Sequence, residues 1–337
     1  MKKSLLALAV AAALPAVAHA QTNIVLNGSI DQSLEYYDPD INGVDSDFRV
    51  TNGVWSGSRF AISGTEELGG GLKGIFNIEH RLDPDTGTVT TGKFWQGQAW
   101  VGLQGGFGAI RMGRQYTPMF RALAPGDVTG YSWYNNPVGL AGTIIRFDND
   151  LSYQSPSLGG FTLHAAWAMG EGDPTNTGLP AGTPVTPTDD QVGDAFGVAG
   201  VGTFGPFNIG LGYHKIMVGD VVPGSDDTDE LGASLGFKFG NFGLGLLAAQ
   251  REVNNVKNKG YAVTGSAGFG PGTLYLVLKR QESDVANLTD DGIGLTYSHG
   301  LSKRTFVYAS LGYNRIESDV AEDIRPKRVA LGVRHFF

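Results

Sequence analysis

The sequence predicts an all-β fold: a 16-stranded antiparallel transmembrane β-barrel with an inward-folded third loop. Three observations predict it. Seven short Gly-rich, often Phe-containing turns recur along the chain, from Leu68-Gly69-Gly70-Gly71-Leu72 to Ser298-His299-Gly300-Leu301. Consecutive turns lie 30 to 54 residues apart, room for a strand, a longer loop and a returning strand. The segments between them alternate apolar and polar residues. Tight connections at one end and long ones at the other are the asymmetry of outer-membrane barrels.

The N-terminus gives the compartment. Met1-Lys2-Lys3 is a basic start, Ser4 to Val17 is apolar, and Ala18-His19-Ala20 has small residues at a cleavage spacing. Residues 1–20 read as a secretory signal peptide and 21–337 as one barrel domain. Beyond it no run of about 18 apolar residues occurs, so no transmembrane helix is expected. Cysteine is absent, which excludes thiolate metal sites and Cys nucleophiles. Glycine is abundant, 51 of 337, which suits strongly curved sheets where Gly absorbs bends. The formal charge is −8; loss of Lys2 and Lys3 takes it to −10, which argues against nucleic acid as a partner.

Sixteen strands follow from the turns: 24–37, 50–64, 70–82, 95–104, 107–115, 146–155, 160–169, 194–203, 206–215, 229–239, 241–252, 259–269, 271–282, 290–299, 304–315 and 325–337. Most reach the roughly 9–11 residues that a tilted strand needs to cross hydrocarbon. Leu231, Ala233, Leu235, Phe237 and Phe239 share one face, and Glu230, Gly232, Ser234, Gly236 and Lys238 the other. In a soluble sandwich these faces would be core and solvent. In a barrel they are lipid side and water side. The export signal, the strand count and the strand lengths favour the barrel.

The long connections cover 38–49, 83–94, 116–145, 170–193, 216–228, 253–258, 283–289 and 316–324, and should be the extracellular loops. The third holds Tyr131, Trp133, Tyr134, three prolines and little charge. A loop of about 30 residues with that composition should pack against something, and the barrel interior is the available surface.

The chain resembles the general trimeric porins of Gram-negative outer membranes, especially the β-proteobacterial branch. The resemblance rests on Gly57-Ser58-Arg59-Phe60 with Gly64-Thr65-Glu66-Glu67-Leu68, on Gln98-Ala99-Trp100-Val101-Gly102-Leu103, and on Gly113-Arg114-Gln115. Arg146 with Asn149, Tyr153-Gln154-Ser155-Pro156, Leu301-Ser302-Lys303-Arg304-Thr305 and the terminal Gly332-Val333-Arg334-His335-Phe336-Phe337 complete it. These segments are collinear across the mature chain. The resemblance implies a homotrimer in the outer membrane, in contact with its lipid and lipopolysaccharide. It implies passive passage of small hydrophilic solutes with no cofactor, and a terminal Phe337 read by the barrel-assembly machinery.

Selection in such a pore comes from width and from a field at the constriction. With Phe60 and Ile62 toward lipid, Arg59 and Ala61 should face water. With Phe147, Leu151 and Tyr153 outward, Arg146 and Asp148 should face the lumen. Arg59 and Arg146 match constriction positions of the family. Arg81 shares a face with Lys73 and Glu79, and Arg114 leads into loop three as an anchor or a lining residue. Asp127 is the only carboxylate of that loop, so the opposing negative pole is thin. Gly97 stands where many relatives carry Arg, which points to weak anion preference or near-neutral passage.

Other readings carry less. Gly87-Thr88-Val89-Thr90-Thr91-Gly92-Lys93 matches seven positions of a phosphate-binding loop, but Phe94 replaces the required Ser/Thr and no helix follows. The mature histidines lack metal-ligand spacing, and no Gly-x-Ser-x-Gly elbow occurs. A substrate-specific channel for carboxylates or sugars, with loop-three aromatics as a track, stays open. A barrel enzyme would need a Ser or Asp converging with His, and none is in view.

Overall fold

The computed structural model describes residues 22–89, 93–170, 194–217 and 226–337. The proposed leader and most of the fourth and fifth long loops lie outside these residues. Eighteen strand segments form one antiparallel sheet that closes on itself. The segments are β1 (Thr22–Asp38), β2 (Asp47–Asn52), β3 (Ser58–Gly69), β4 (Leu72–Asp83), β5 (Thr88–Val89) and β6 (Gln98–Gly105). Next come β7 (Gly108–Tyr116), β8 (Arg146–Gln154), β9 (Phe161–Ala168), β10 (Ala195–Phe204), β11 (Phe207–Ile216) and β12 (Thr228–Phe239). The last are β13 (Phe242–Val253), β14 (Val256–Phe269), β15 (Gly272–Ser283), β16 (Leu288–Gly300), β17 (Thr305–Glu317) and β18 (Lys327–Phe336). β2 and β3 are two halves of one stave, and β5 is a two-residue extension beside β4, so the barrel has sixteen staves. β1 closes the ring by pairing with β18 on one edge and with β2 and β3 on the other. The end of the chain is tied in: Gly28 and Phe337 exchange backbone hydrogen bonds of 3.1 Å each way.

The outer wall is apolar, as an inverted protein requires. Leu211, Leu231, Leu244, Leu246 and Tyr261 project outward and are exposed. Phe204, Phe207, Phe239, Phe242 and Phe269 cluster at the short-turn end as an aromatic rim.

Several strands depart from the expected bounds. The stave expected as continuous over 50–64 is broken at 53–57. There β1 has only Ile30 and Asp31 between the partners of Asn52 and Arg59. The surplus residues bulge inward. Asp31 holds them, its carboxylate accepting from Trp55 N at 2.9 Å and from the Tyr308 hydroxyl at 2.8 Å. The sixth long loop shrinks from 253–258 to Asn254-Asn255, both at positive φ (51° and 62°), a two-residue hairpin turn.

Loop three folds into the barrel, and strand glycines receive it. It begins with a short helix, α1 (Pro118–Leu123), capped by Thr117, whose side chain accepts from Phe120 N. The helix and the chain beyond it lie against the inner faces of β10 to β14. A Cβ on Gly210 would overlap the Ala122 carbonyl, one on Gly236 the Pro125 carbonyl, and one on Gly245 the Gly126 carbonyl. Further round, a Cβ on Gly294 would overlap the Tyr134 carbonyl, and one on Gly260 would sit 2.6 Å from Leu140 Cγ. The high glycine content therefore serves close approach of one backbone to another, beyond the bending expected from sequence. Hydroxyls fix the register: Ser234 donates to the Ala122 carbonyl at 2.6 Å and Thr264 to the Gly126 carbonyl at 2.7 Å.

Replacing Gly245 by Ala should push the Gly126 peptide off the wall. Overpacking of this kind costs about 1–3 kcal/mol. The expected result is a lower melting temperature of the folded barrel by circular dichroism, with altered single-channel conductance. An unchanged melt and conductance would show that the close approach is not needed.

Candidate functional site: the lumenal constriction

Two buried side chains clamp the ends of loop three. His214 is fully buried, and its Nε2 accepts from Met119 N at 2.9 Å. Nδ1 must then carry the proton, and it faces Glu230 Oε2 at 3.1 Å. Glu230 also accepts from Ile144 N at 3.0 Å, at the far end of the loop. One His–Glu pair thus holds both the entry and the exit of a loop about 30 residues long. The register of β11 against β12 sets His214 opposite Glu230.

The middle of the loop crosses to the opposite wall. Trp133 N donates to the Val54 carbonyl at 2.8 Å, and the Trp133 and Trp55 rings meet at 4.7 Å. The Tyr134 hydroxyl donates to Glu35. Asn135 Nδ2 donates to the carbonyls of Ile293 at 3.0 Å and Tyr313 at 3.2 Å. Tyr131, Trp133 and Asn135 all have positive φ (55°, 75° and 60°). Tyr and Trp rarely adopt that region, though Asn tolerates it, so these contacts hold Tyr131 and Trp133 in a conformation the chain alone disfavours.

Between this loop and the wall lies a cavity of about 700 Å³. Its charged lining is lopsided. Five arginines reach it: Arg49, Arg59, Arg81, Arg146 and Arg328. Among the described residues the one lining carboxylate is Glu35, which pairs with Arg49 at 2.6 Å. Arg59 and Arg81 face each other directly across β3 and β4. Arg81 pairs with Glu79 at 2.8 Å and donates to the Ser56 carbonyl at 3.0 Å. Its Nη2 also reaches the Tyr116 hydroxyl at 3.1 Å. Arg146 reaches the same hydroxyl at 2.9 Å, and its guanidinium lies 4.5 Å from the Tyr116 ring centroid. Tyr116 in turn stacks on Phe120 at 4.1 Å, and Phe120 meets Tyr131 at 4.7 Å.

The expected residues thus divide. Arg59, Arg81 and Arg146 come together at one cavity. Arg114 does not line it. Its Nε donates to the Gln96 carbonyl at 2.8 Å and its Nη1 to Asp148 at 2.7 Å. Asp127 also turns away: it is buried and accepts from Thr129 N at 2.9 Å, Thr129 Oγ1 at 2.6 Å and Tyr131 N. Burial pushes its carboxyl above the usual range. Its role is to close a turn of its own loop.

The alternation expected for β8 also fails at one end. Leu151 and Tyr153 keep to one face, but Phe147 is fully buried among Ala166, Ala168, Ala195 and Ile216, beside His214. The cause is a bulge. The β7–β8 register shifts between Gly113 and Gln115, and Asn149 takes a positive φ of 48°. Asp148, expected in the lumen, pairs with Arg114 and with Lys93. Gly97 is explained by its neighbour, because a Cβ there would overlap the Glu79 carboxylate. Sequence reading missed Arg49, Arg328 and Tyr116. The first two follow from strand parity; the third has no sequence signal of its own.

A model of Gram-negative porins matches residues 7–319. The chain belongs to the Gram-negative porin family. It is 31% identical to outer membrane porin protein 32 of Delftia acidovorans, over 98% of this chain and 95% of that protein. An outer membrane porin of Bordetella pertussis is 28% identical over the full length of both. The major outer membrane protein P.IB of Neisseria meningitidis is 36% identical over about half of each chain, 51% and 50%. Among solved structures, an anion-selective porin from Comamonas acidovorans superposes with a TM-score of 0.77 at 26% identity, covering 94% of this chain and all of that one. This porin is therefore an outer-membrane channel and not an enzyme.

Glu230→Ala should leave the Ile144 N–H and the His214 Nδ1–H without acceptors. Each orphaned donor costs about 1–3 kcal/mol. Single-channel recording should then show larger and noisier conductance, as both ends of loop three lose their clamp. Conductance indistinguishable from wild type would place the clamp elsewhere.

Proposed function

We propose that this porin passes small hydrophilic solutes with a definite preference for anions, set by Arg59, Arg81 and Arg146 at the constriction. The observation that carries the reading is the charge balance of the cavity. Five arginines line the cavity; Glu35 pairs with Arg49 and Glu79 with Arg81, while Arg59, Arg146 and Arg328 make none of the ion pairs found among the described residues. Loop three adds no acid to oppose them, because Asp127 is turned into its own backbone. The charge lining the constriction is therefore net positive. The preference is stronger than the weak anion preference or near-neutral passage expected from Gly97. The similar porin from Comamonas acidovorans is described as anion-selective, which agrees.

The assembly is a homotrimer in contact with membrane lipid and lipopolysaccharide, as the family resemblance implies. Phe337 is the assembly signal. Its ring covers Gly28, and its backbone pairs with β1 as the ring closes, which supports coupling recognition of the terminus to closure.

Reversal potentials in a potassium chloride gradient test the reading. Wild type should favour chloride. Arg59→Ala and Arg146→Ala should each lower the chloride-to-potassium permeability ratio by on the order of twofold, as cavity charge is removed. The preference should weaken near 1 M salt, where the screening length falls to about 3 Å. A cation preference in wild type at 0.1 M salt would overturn the proposal.

A further inference from the structure

A second cavity, of about 440 Å³, shares no lining residue with the arginine cavity. Pro271 and Lys303 line it and belong to short turns, so it lies at the periplasmic end of the barrel. Leu274, Leu276, Val307 and Val333 are exposed on the lipid side. Tyr275, Phe306 and Phe336 have the opposite parity and face inward, where Trp55 of the bulge joins them as lining. Three of these rings form a corner. Trp55 and Phe306 lie 5.2 Å apart at 81°, Trp55 and Phe336 5.9 Å apart at 86°, and Phe306 and Phe336 5.9 Å apart at 83°. Trp133 lines the arginine cavity and packs on both Trp55 and Tyr275, at 4.7 Å and 5.4 Å, so the tip of loop three stands between the two cavities. Arg334 backs the corner, its guanidinium 5.0 Å from the Trp55 centroid and 4.4 Å from that of Phe336.

We infer that this corner is a binding subsite for aromatic acids, solutes with one flat ring and one anionic group. The ring packs edge to face against the corner, and the acid group meets the Lys303 ammonium. Charge complementarity selects that occupant. The lining holds no carboxylate, and Lys303 makes none of the ion pairs found among the described residues. A neutral solute would gain nothing from the ammonium, and a cation would be repelled by Lys303 and Arg334. Aromatic rings carry a negative face and a positive edge, so perpendicular walls gain from an aromatic guest what a saturated ring cannot offer. The cavity falls within the roughly 300–1,000 Å³ of small-molecule sites. A solute that has passed the arginine cavity meets here a second station, which reads the ring and not the charge alone. The inference stands on residues outside the arginine cavity and goes beyond its anion preference.

Benzoate and cyclohexanecarboxylate make a matched pair of probes. They share ring size, charge and carboxylate, so the arginine cavity treats them alike and only the nature of the ring differs. In planar bilayers holding the purified porin, wild-type benzoate conductance should saturate with concentration. The benzoate-to-cyclohexanecarboxylate permeability ratio should exceed the ratio of their mobilities in free solution by roughly two- to tenfold, the worth of one aromatic pair. Phe306→Leu keeps an apolar side chain and removes a ring of the corner, and it should return the ratio to that of the mobilities. Tyr275→Leu, on another stave, should lower it too. Retained chloride-to-potassium preference shows that each variant barrel is folded. Lys303→Gln should raise the half-saturating benzoate concentration about two- to fivefold, the worth of an exposed ion pair. A wild-type ratio equal to that of the mobilities overturns the subsite without any variant. A raised ratio that survives both ring substitutions overturns its placement at this corner. Unchanged half-saturation in Lys303→Gln overturns the acid contact. A cation preference in wild type would instead sink the anion reading, while the ring ratio still decides the subsite.

Discussion

The constraint on which the rest depends is the approach of the loop-three backbone to the inner wall. The carbonyls of Ala122, Pro125 and Gly126 lie where side chains of β11, β12 and β13 would otherwise stand. Only glycine leaves that room, so those strands must give up contact area on their lumenal face. Peptide-on-peptide packing and hydroxyl donors from Ser234 and Thr264 replace it. A buried carbonyl that lost these donors would be costly, so seating is close to all-or-none along this stretch. The pore is narrow because the loop lies flat, and the loop lies flat because the floor has no side chains.

The two walls of the constriction are built by opposite means. On the loop side the His214–Glu230 pair and the glycine floor fix a main chain whose aromatics and amides carry no net charge. On the stave side the inward bulge at 53–57 is held by Asp31 and Arg334. Arg334 donates to the Trp55 carbonyl at 2.8 Å and to the Ser29 hydroxyl at 2.8 Å. That bulge gives the loop tip a landing point at Val54 and Trp55. It also supplies the Ser56 carbonyl that Arg81 uses. Loop seating and arginine placement therefore share one local irregularity in the barrel.

Much of the barrel was legible because a half-wetted strand must alternate, and β12 does so without interruption. The turns were legible because Gly205, Gly240 and Gly270 occupy positive φ, where larger residues are strained. Failures fell where an added residue breaks the period. The surplus at 53–57 and the bulge opposite Arg114 shift the count by amounts that a pattern of two cannot reveal, so Phe147 was assigned to the wrong face. Asp127 failed for another reason. Its charge was visible but its partners were not, because they are backbone N–H groups two and four residues on. The glycines of the floor were visible only as composition. Their purpose depends on which backbone passes in front of them, and that is tertiary information.

A cluster of arginines at a constriction raises a physical problem, since like charges at close quarters repel and each seeks a carboxylate. Glu79 answers for Arg81 and Glu35 for Arg49, and in doing so each removes a cation from the field. Tyr116 answers differently. It offers Arg81 and Arg146 a shared acceptor that bears no charge, and it offers Arg146 a ring face. Arg146 is held in place without being neutralised, and Arg81 shares the hydroxyl while keeping its pair with Glu79. A carboxylate at the same point would hold them more tightly and would cancel the field that selects the solute. A phenol suits a site that must keep its positive charge available, and the stacking of Phe120 and Tyr131 behind it ties that choice to the seating of loop three.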